Sequence, residues 1–113
     1  MPQFSISDGV HYVSYVPGPY SLLLGVRFGA AVPTLKISVI RTSKPASKAL
    51  TEESVVSAVL AGVARSSVCK GVQEVVLVDS DSAPLSSYEH AAHLLADAVS
   101  RGEPFRRSNI RKA

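Results

Sequence analysis

The sequence predicts one α/β domain, ordered β-β-β-α-β-α, with a mixed sheet and two helices. Three observations lead there. Residues 10–42 form three β-rich runs separated by Pro and Gly breaks. Two later segments carry apolar residues at helical spacing. A short unbroken apolar run, Gln73–Asp79, lies between those segments and reads as a strand buried on both faces. The 113 residues suit one domain, 46% of them are hydrophobic and 19% are charged, a composition that excludes a disordered chain. We place the domain at residues 1–102 and a basic tail at 103–113.

Phe4 to Ile6 begins an edge strand. Asp8-Gly9 reads as a turn. Val10–Val16, reading VHYVSYV, is a strand rich in β-branched and aromatic residues, broken by Pro17-Gly18-Pro19. Tyr20–Phe28 follows as a strand, with Gly25 a candidate bulge or close-approach point. After the break at Gly29–Pro33, Leu35–Thr42 alternates, with Leu35, Ile37 and Val39 on one face and Lys36 and Ser38 on the other. Three such strands with short links suggest an antiparallel meander. Residues 42–50 are a loop. Thr51 is the expected N-cap of the first helix, and Glu52 and Glu53 lie in its first turn, where the dipole favours anions. Val55, Val56, Val59, Leu60 and Val63 form its apolar stripe, and Gly71 is its C-cap candidate. Ser86 and Glu89 fit a capping box for the second helix, which buries Ala92, Leu95, Ala96 and Val99 and ends at Gly102.

The net charge is +3, but its distribution is uneven. Residues 36–48 carry Lys36, Arg41, Lys44 and Lys48 with no acid. Residues 49–100 carry seven acids against Arg65 and Lys70. Residues 101–113 carry Arg101, Arg106, Arg107, Arg111 and Lys112 against Glu103. Basic blocks on a loop and a tail can hold phosphates without reading sequence. The tail lacks helical periodicity and is expected to order only on a partner. Ordinary solubilising charge is the plain alternative.

The block from Ser54 to Phe105 resembles the large-subunit ribosomal protein family L-eighteen, which binds 5S ribosomal RNA. The resemblance lies in Lys70-Gly71-Val72 after a helix, the apolar strand Val75–Val78, Ala96-Asp97-Ala98 in a helix, and Gly102 with Phe105. The loop from Asp79 to Ser86 is more similar to the mitochondrial branch. The resemblance implies a ribonuclease-H-like motif of the translational machinery and a structural, non-catalytic constituent of the large ribosomal subunit. It implies rRNA, with 5S rRNA a candidate, and neighbouring ribosomal proteins as partners, and no cofactor or small-molecule substrate. The expected RNA-binding residues are Lys36, Arg41, Lys44, Lys48, Arg106, Arg107, Arg111 and Lys112. Mitochondria are the implied compartment, or otherwise another reducing one, in keeping with a single cysteine, Cys69.

Two further function classes remain open. One is a protein-only assembly module docking through the edge of the meander. The other is a ribonuclease-H-like nuclease, holding metal with Asp8, Glu52 or Glu53, and Asp79 or Asp81; helix-dipole and turn roles account for most of these acids. His90 and His93 stand three apart on one helix, but without a third ligand they read as packed or hydrogen-bonded residues. Cys69 reads as a small buried hydrophobe. The aromatic residues of the first strands read as core or interface packing, since few basic residues accompany them. No apolar run reaches the length of a membrane span, and the first 26 residues hold no Lys or Arg, so no targeting segment is expected.

Overall fold

A computed structural model describes residues 3–15, 22–30, 34–40, 52–66, 71–78 and 84–107. The elements are β1 (Gln3–Ser7), β2 (Val10–Tyr15), β3 (Leu22–Gly29), β4 (Lys36–Ile40), α1 (Glu52–Ala64), β5 (Gly71–Val78), α2 (Leu85–Ser100) and β6 (Arg106–Arg107). They form the expected α/β domain with two helices, and the single sheet runs β4-β5-β3-β2-β1-β6.

The β1–β2 hairpin is set by its turn. Asp8 and Gly9 both have positive φ, 52° and 77°, between the paired residues Ser7 and Val10. That is the two-residue loop whose twist matches the flanking strands, and Asp-Gly favours it. β2 pairs with β3 antiparallel. The meander expected to continue into β4 stops there. β5 enters between the two, antiparallel to β3 and parallel to β4. The reason lies in the side chains. Val75–Val78 of β5 are apolar on both faces and fit a central position, whereas β4 alternates Lys36 and Ser38 with apolar residues and fits an edge. A register shift between Arg27 and Phe28 sets Phe28 against Val72.

Both helices cover one face of the sheet. α2 packs on β2 and β3, and α1 packs on α2. The core between sheet and helices holds Val13, Leu24, Val26, Val59, Val75, Leu77 and Leu95, all at most 2% exposed. The helices approach closely because Gly62 has no side chain; a Cβ there would collide with the Glu89 carbonyl oxygen. On the opposite face Val10, Tyr12 and Val76 form a smaller cluster. The Tyr12 ring lies over Gly25, whose Cβ would sit 2.5 Å from Tyr12 Cε1, so Gly25 is the close-approach point.

Several local expectations are corrected. Pro84, not Ser86, is the N-cap of α2; its ψ of 157° is extended and its carbonyl accepts from Ser87 N–H at 3.0 Å. Leu85 starts the helix because it packs against the core, which moves Ser86 into the first turn and leaves Glu89 to pair with Arg65. Gly71 does not cap α1. That helix ends at Ala64, Ser66 Oγ donates to the Val63 carbonyl at 2.8 Å, and Gly71 opens β5 instead. At the end of α2, Gly102 (φ 68°) donates to Val99 O and Glu103 donates to Ala98 O, a Schellman closure. Residues 103–107 then fold back rather than leave the domain. Phe105 packs on Phe4 and His11, with ring centroids 5.5 and 4.8 Å away, and β6 pairs parallel to β1.

Candidate functional site

Sheet order decides which of the expected basic residues come together. Lys36 lies on β4 at one edge, and Arg106 and Arg107 lie on β6 at the other. Five strand spacings of about 4.8 Å separate them, so they stand about 24 Å apart. All three are exposed. Arg106 borders an open groove of about 530 Å³ with Gln3, Ser5, Ser14 and Pro104. Arg41, Lys44, Lys48, Arg111 and Lys112 lie outside the described residues, as do Thr51, Cys69, Asp79 and Asp81.

The carboxylates of the nuclease reading are spread out. Asp8 sits in the β1–β2 turn, beside the end of β3, where its carbonyl accepts from Arg27 Nη2 at 3.0 Å. Glu52 and Glu53 begin α1. The last turn of α1 lies near the start of β5, so its first turn is at the opposite end of the sheet from Asp8. Among the described residues, no group of three His, Cys, Asp or Glu is placed to hold a metal. His93 Nε2 meets Asp97 Oδ2 at 3.3 Å, and the His90 ring tilts against Tyr15 at 5.6 Å.

One polar cluster was not singled out from the sequence. Glu74, on central β5, is 2% exposed. It accepts from Arg27 Nε at 3.2 Å and from Ser38 Oγ at 2.5 Å. The cluster thus ties β3, β5 and β4 together on the face away from the helices. Burial pushes the neighbouring Tyr12 phenol above its ordinary 10.0, and the Glu74 charge adds to the rise. A lone Arg in an apolar strand and a lone Glu in another were the signal available. The group is closed by its own partners, and its chemistry is structural.

The exposed apolar surface lies elsewhere. Between Glu53 and Arg65, α1 carries no charged residue. Val55, Val56, Val59, Gly62 and Val63 face inward. Ser57, Leu60, Ala61 and Ala64 face outward and are exposed. Leu60 was expected in the buried stripe; at about 100° per residue it falls to the side of Val56 and Val63, and it is 39% exposed. Ile37 on β4 is 40% exposed, and these two are the exposed large hydrophobics among the described residues. Beside Leu60 an open cavity of about 340 Å³ is lined by Leu35, Leu60, Val63, Ala64, Gly71 and Val72. The outer side of β4 carries no strand among the described residues. A helix whose outer face carries no charge between Glu53 and Arg65, beside a strand edge unpaired among the described residues, is a surface that water covers poorly.

No protein-family model matches the chain, and no curated protein or solved structure matches it either.

Proposed function

We propose that the chain is a non-catalytic assembly module that docks on protein through the outer face of α1 and the edge of β4. The observation that carries this reading is the outer face of α1. A surface helix ordinarily turns charge to solvent, and this one turns Ser57, Leu60, Ala61 and Ala64. The adjoining edge of β4 offers main-chain hydrogen bonds, and the cavity beside it offers room for an apolar side chain.

A second reading follows the L-eighteen resemblance: a constituent of the large ribosomal subunit, mitochondrial in that case, bound to rRNA. It is favoured by the exposure of Lys36, Arg106 and Arg107 at the two sheet edges, a spacing that suits clamping an RNA helix rather than lining one groove.

Salt separates the two. Phosphate contacts release counterions and weaken steeply with salt, whereas apolar docking does not. The tagged full chain is followed by size exclusion of cell extract at about 50 and about 500 mM salt, with and without ribonuclease. The docking reading expects the chain to elute above its monomer mass throughout and the Ile37→Lys variant to elute as the monomer. Release of the wild-type chain by salt or ribonuclease, with Ile37→Lys behaving as wild type, overturns it in favour of rRNA.

A further inference from the structure

We propose that the occupant of this surface is a second copy of the chain, joined β4 to β4 in antiparallel register about Ser38. The two α1 helices then pack side by side above the joined sheets. The inference rests on the docking reading and names its partner.

The strand is self-complementary in that register. Ile37 of one copy stands opposite Val39 of the other, twice over, which makes a stripe of four β-branched side chains on the helix-covered face. Lys36 stands opposite Ile40, so the two Lys36 side chains lie at opposite ends of the pair and do not oppose each other. Two edges that carry no further strand among the described residues thereby become the centre of one continuous sheet.

The helices follow from the same dyad. The cavity lining places the last turn of α1 above the starts of β4 and β5, while α2 packs on β2 and β3. With strands about 4.8 Å apart, a helix above the β4–β5 pair lies about 5 Å from the dyad, and its copy about 10 Å from it, near the spacing of packed helices. Gly62 faces α2, and Leu60 is about 200° round the helix from it, on the side toward the β4 edge. Ser57 and Ala64 flank Leu60, and such small residues permit close approach. The lengths agree as well, since α1 spans about 20 Å and residues 34–40 about 23 Å. The copies of α1 run antiparallel, as the dyad requires, and Arg65 of each stays on the α2 side, paired with its own Glu89. A strip of roughly 20 by 20 Å buries about 800 Å² over the two copies, below the usual range of stable interfaces, so a weak dimer that forms with rising concentration is expected.

Sedimentation equilibrium of the purified chain from about 5 to about 200 μM tests this. The wild-type mass should rise from 11.9 kDa toward twice that value. Ile37→Lys and Leu60→Arg should stay monomeric throughout, with unchanged circular dichroism, because both side chains are exposed in the single chain. Ala64→Arg replaces either variant that fails to fold. A wild-type chain that stays monomeric overturns the second copy, as do variants that dimerise as well as wild type. If the purified chain is monomeric yet elutes above its monomer mass in extract, and Ile37→Lys does not, the second copy falls and the docking reading stands. If Ile37→Lys changes neither, both fall.

Discussion

Glu74 and Arg27 are not equal partners in their ion pair. The Glu74 side chain is 3% exposed and that of Arg27 is 31% exposed. Removing Arg27 takes the ion-pair partner from a buried carboxylate to which Ser38 still donates. Removing Glu74 strands a guanidinium that still reaches water and still donates to the Asp8 carbonyl. Breaking a buried pair costs about 3–5 kcal/mol when the orphan is fully buried, and less when water reaches it. Arg27→Ala is therefore expected to lower stability by about 3 kcal/mol and Glu74→Ala by roughly half of that. Arg27→Leu combined with Glu74→Leu should recover much of the loss. Urea unfolding of the four chains checks the order, and equal losses for the two alanine variants would contradict it. The positions of both residues in apolar strands were readable in the sequence. Their pairing was not, because it depends on β5 entering beside β3, a contact between residues 47 apart in sequence.

At the scale of elements, local signals located strands and helices well and failed where tertiary packing chose the boundary. The Asp-Gly turn, the alternation of β4 and the unbroken apolar run of β5 each arise within a few residues and were legible. Ser86 looked like a cap by its spacing from Glu89, but Leu85 had a core contact available and the helix began earlier. The α1–α2 contact was invisible for a related reason. Nothing local marks Gly62 as the point where two helices touch, yet a methyl group there would meet the Glu89 backbone and the Ala92 Cβ. Backbone cannot swing aside as a side chain can, so the helices would have to separate. Gly62→Ala adds helix propensity of about 1 kcal/mol, but overpacking of this kind costs about 1–3 kcal/mol or more. The packing cost should win, with a net loss of about 1–2 kcal/mol and a lower thermal midpoint. A stabilised variant would mean that α1 and α2 are not held this close.

For the whole molecule, the question is what joins the two ends of the described chain. β1 lies near the start and β6 near the end, and they are neighbours in the sheet. The basic character of residues 103–113 suggested a tail that orders on a partner, and the charge pattern alone gave no reason to expect otherwise. Phe105 supplies the missing reason. Its ring sits against Phe4 and His11 beside the main core, which draws the following two residues alongside β1. The pairing of β6 uses main chain, whereas the Arg106 and Arg107 side chains are exposed. These residues therefore separate anchoring from charge. Phe105→Ala should cost about 2–4 kcal/mol, a range below full-burial values because the ring is only partly buried. It should also speed hydrogen exchange in β1 by uncovering that edge. Arg106→Ala with Arg107→Ala should change stability by less than about 0.5 kcal/mol. Any loss of assembly from the double arginine variant is then a loss of charge contacts and not of fold, which is the condition the rRNA reading requires. If the double arginine variant melts the domain and Phe105→Ala does not, the C-terminal segment is held by its charges and the packing account of β6 is wrong.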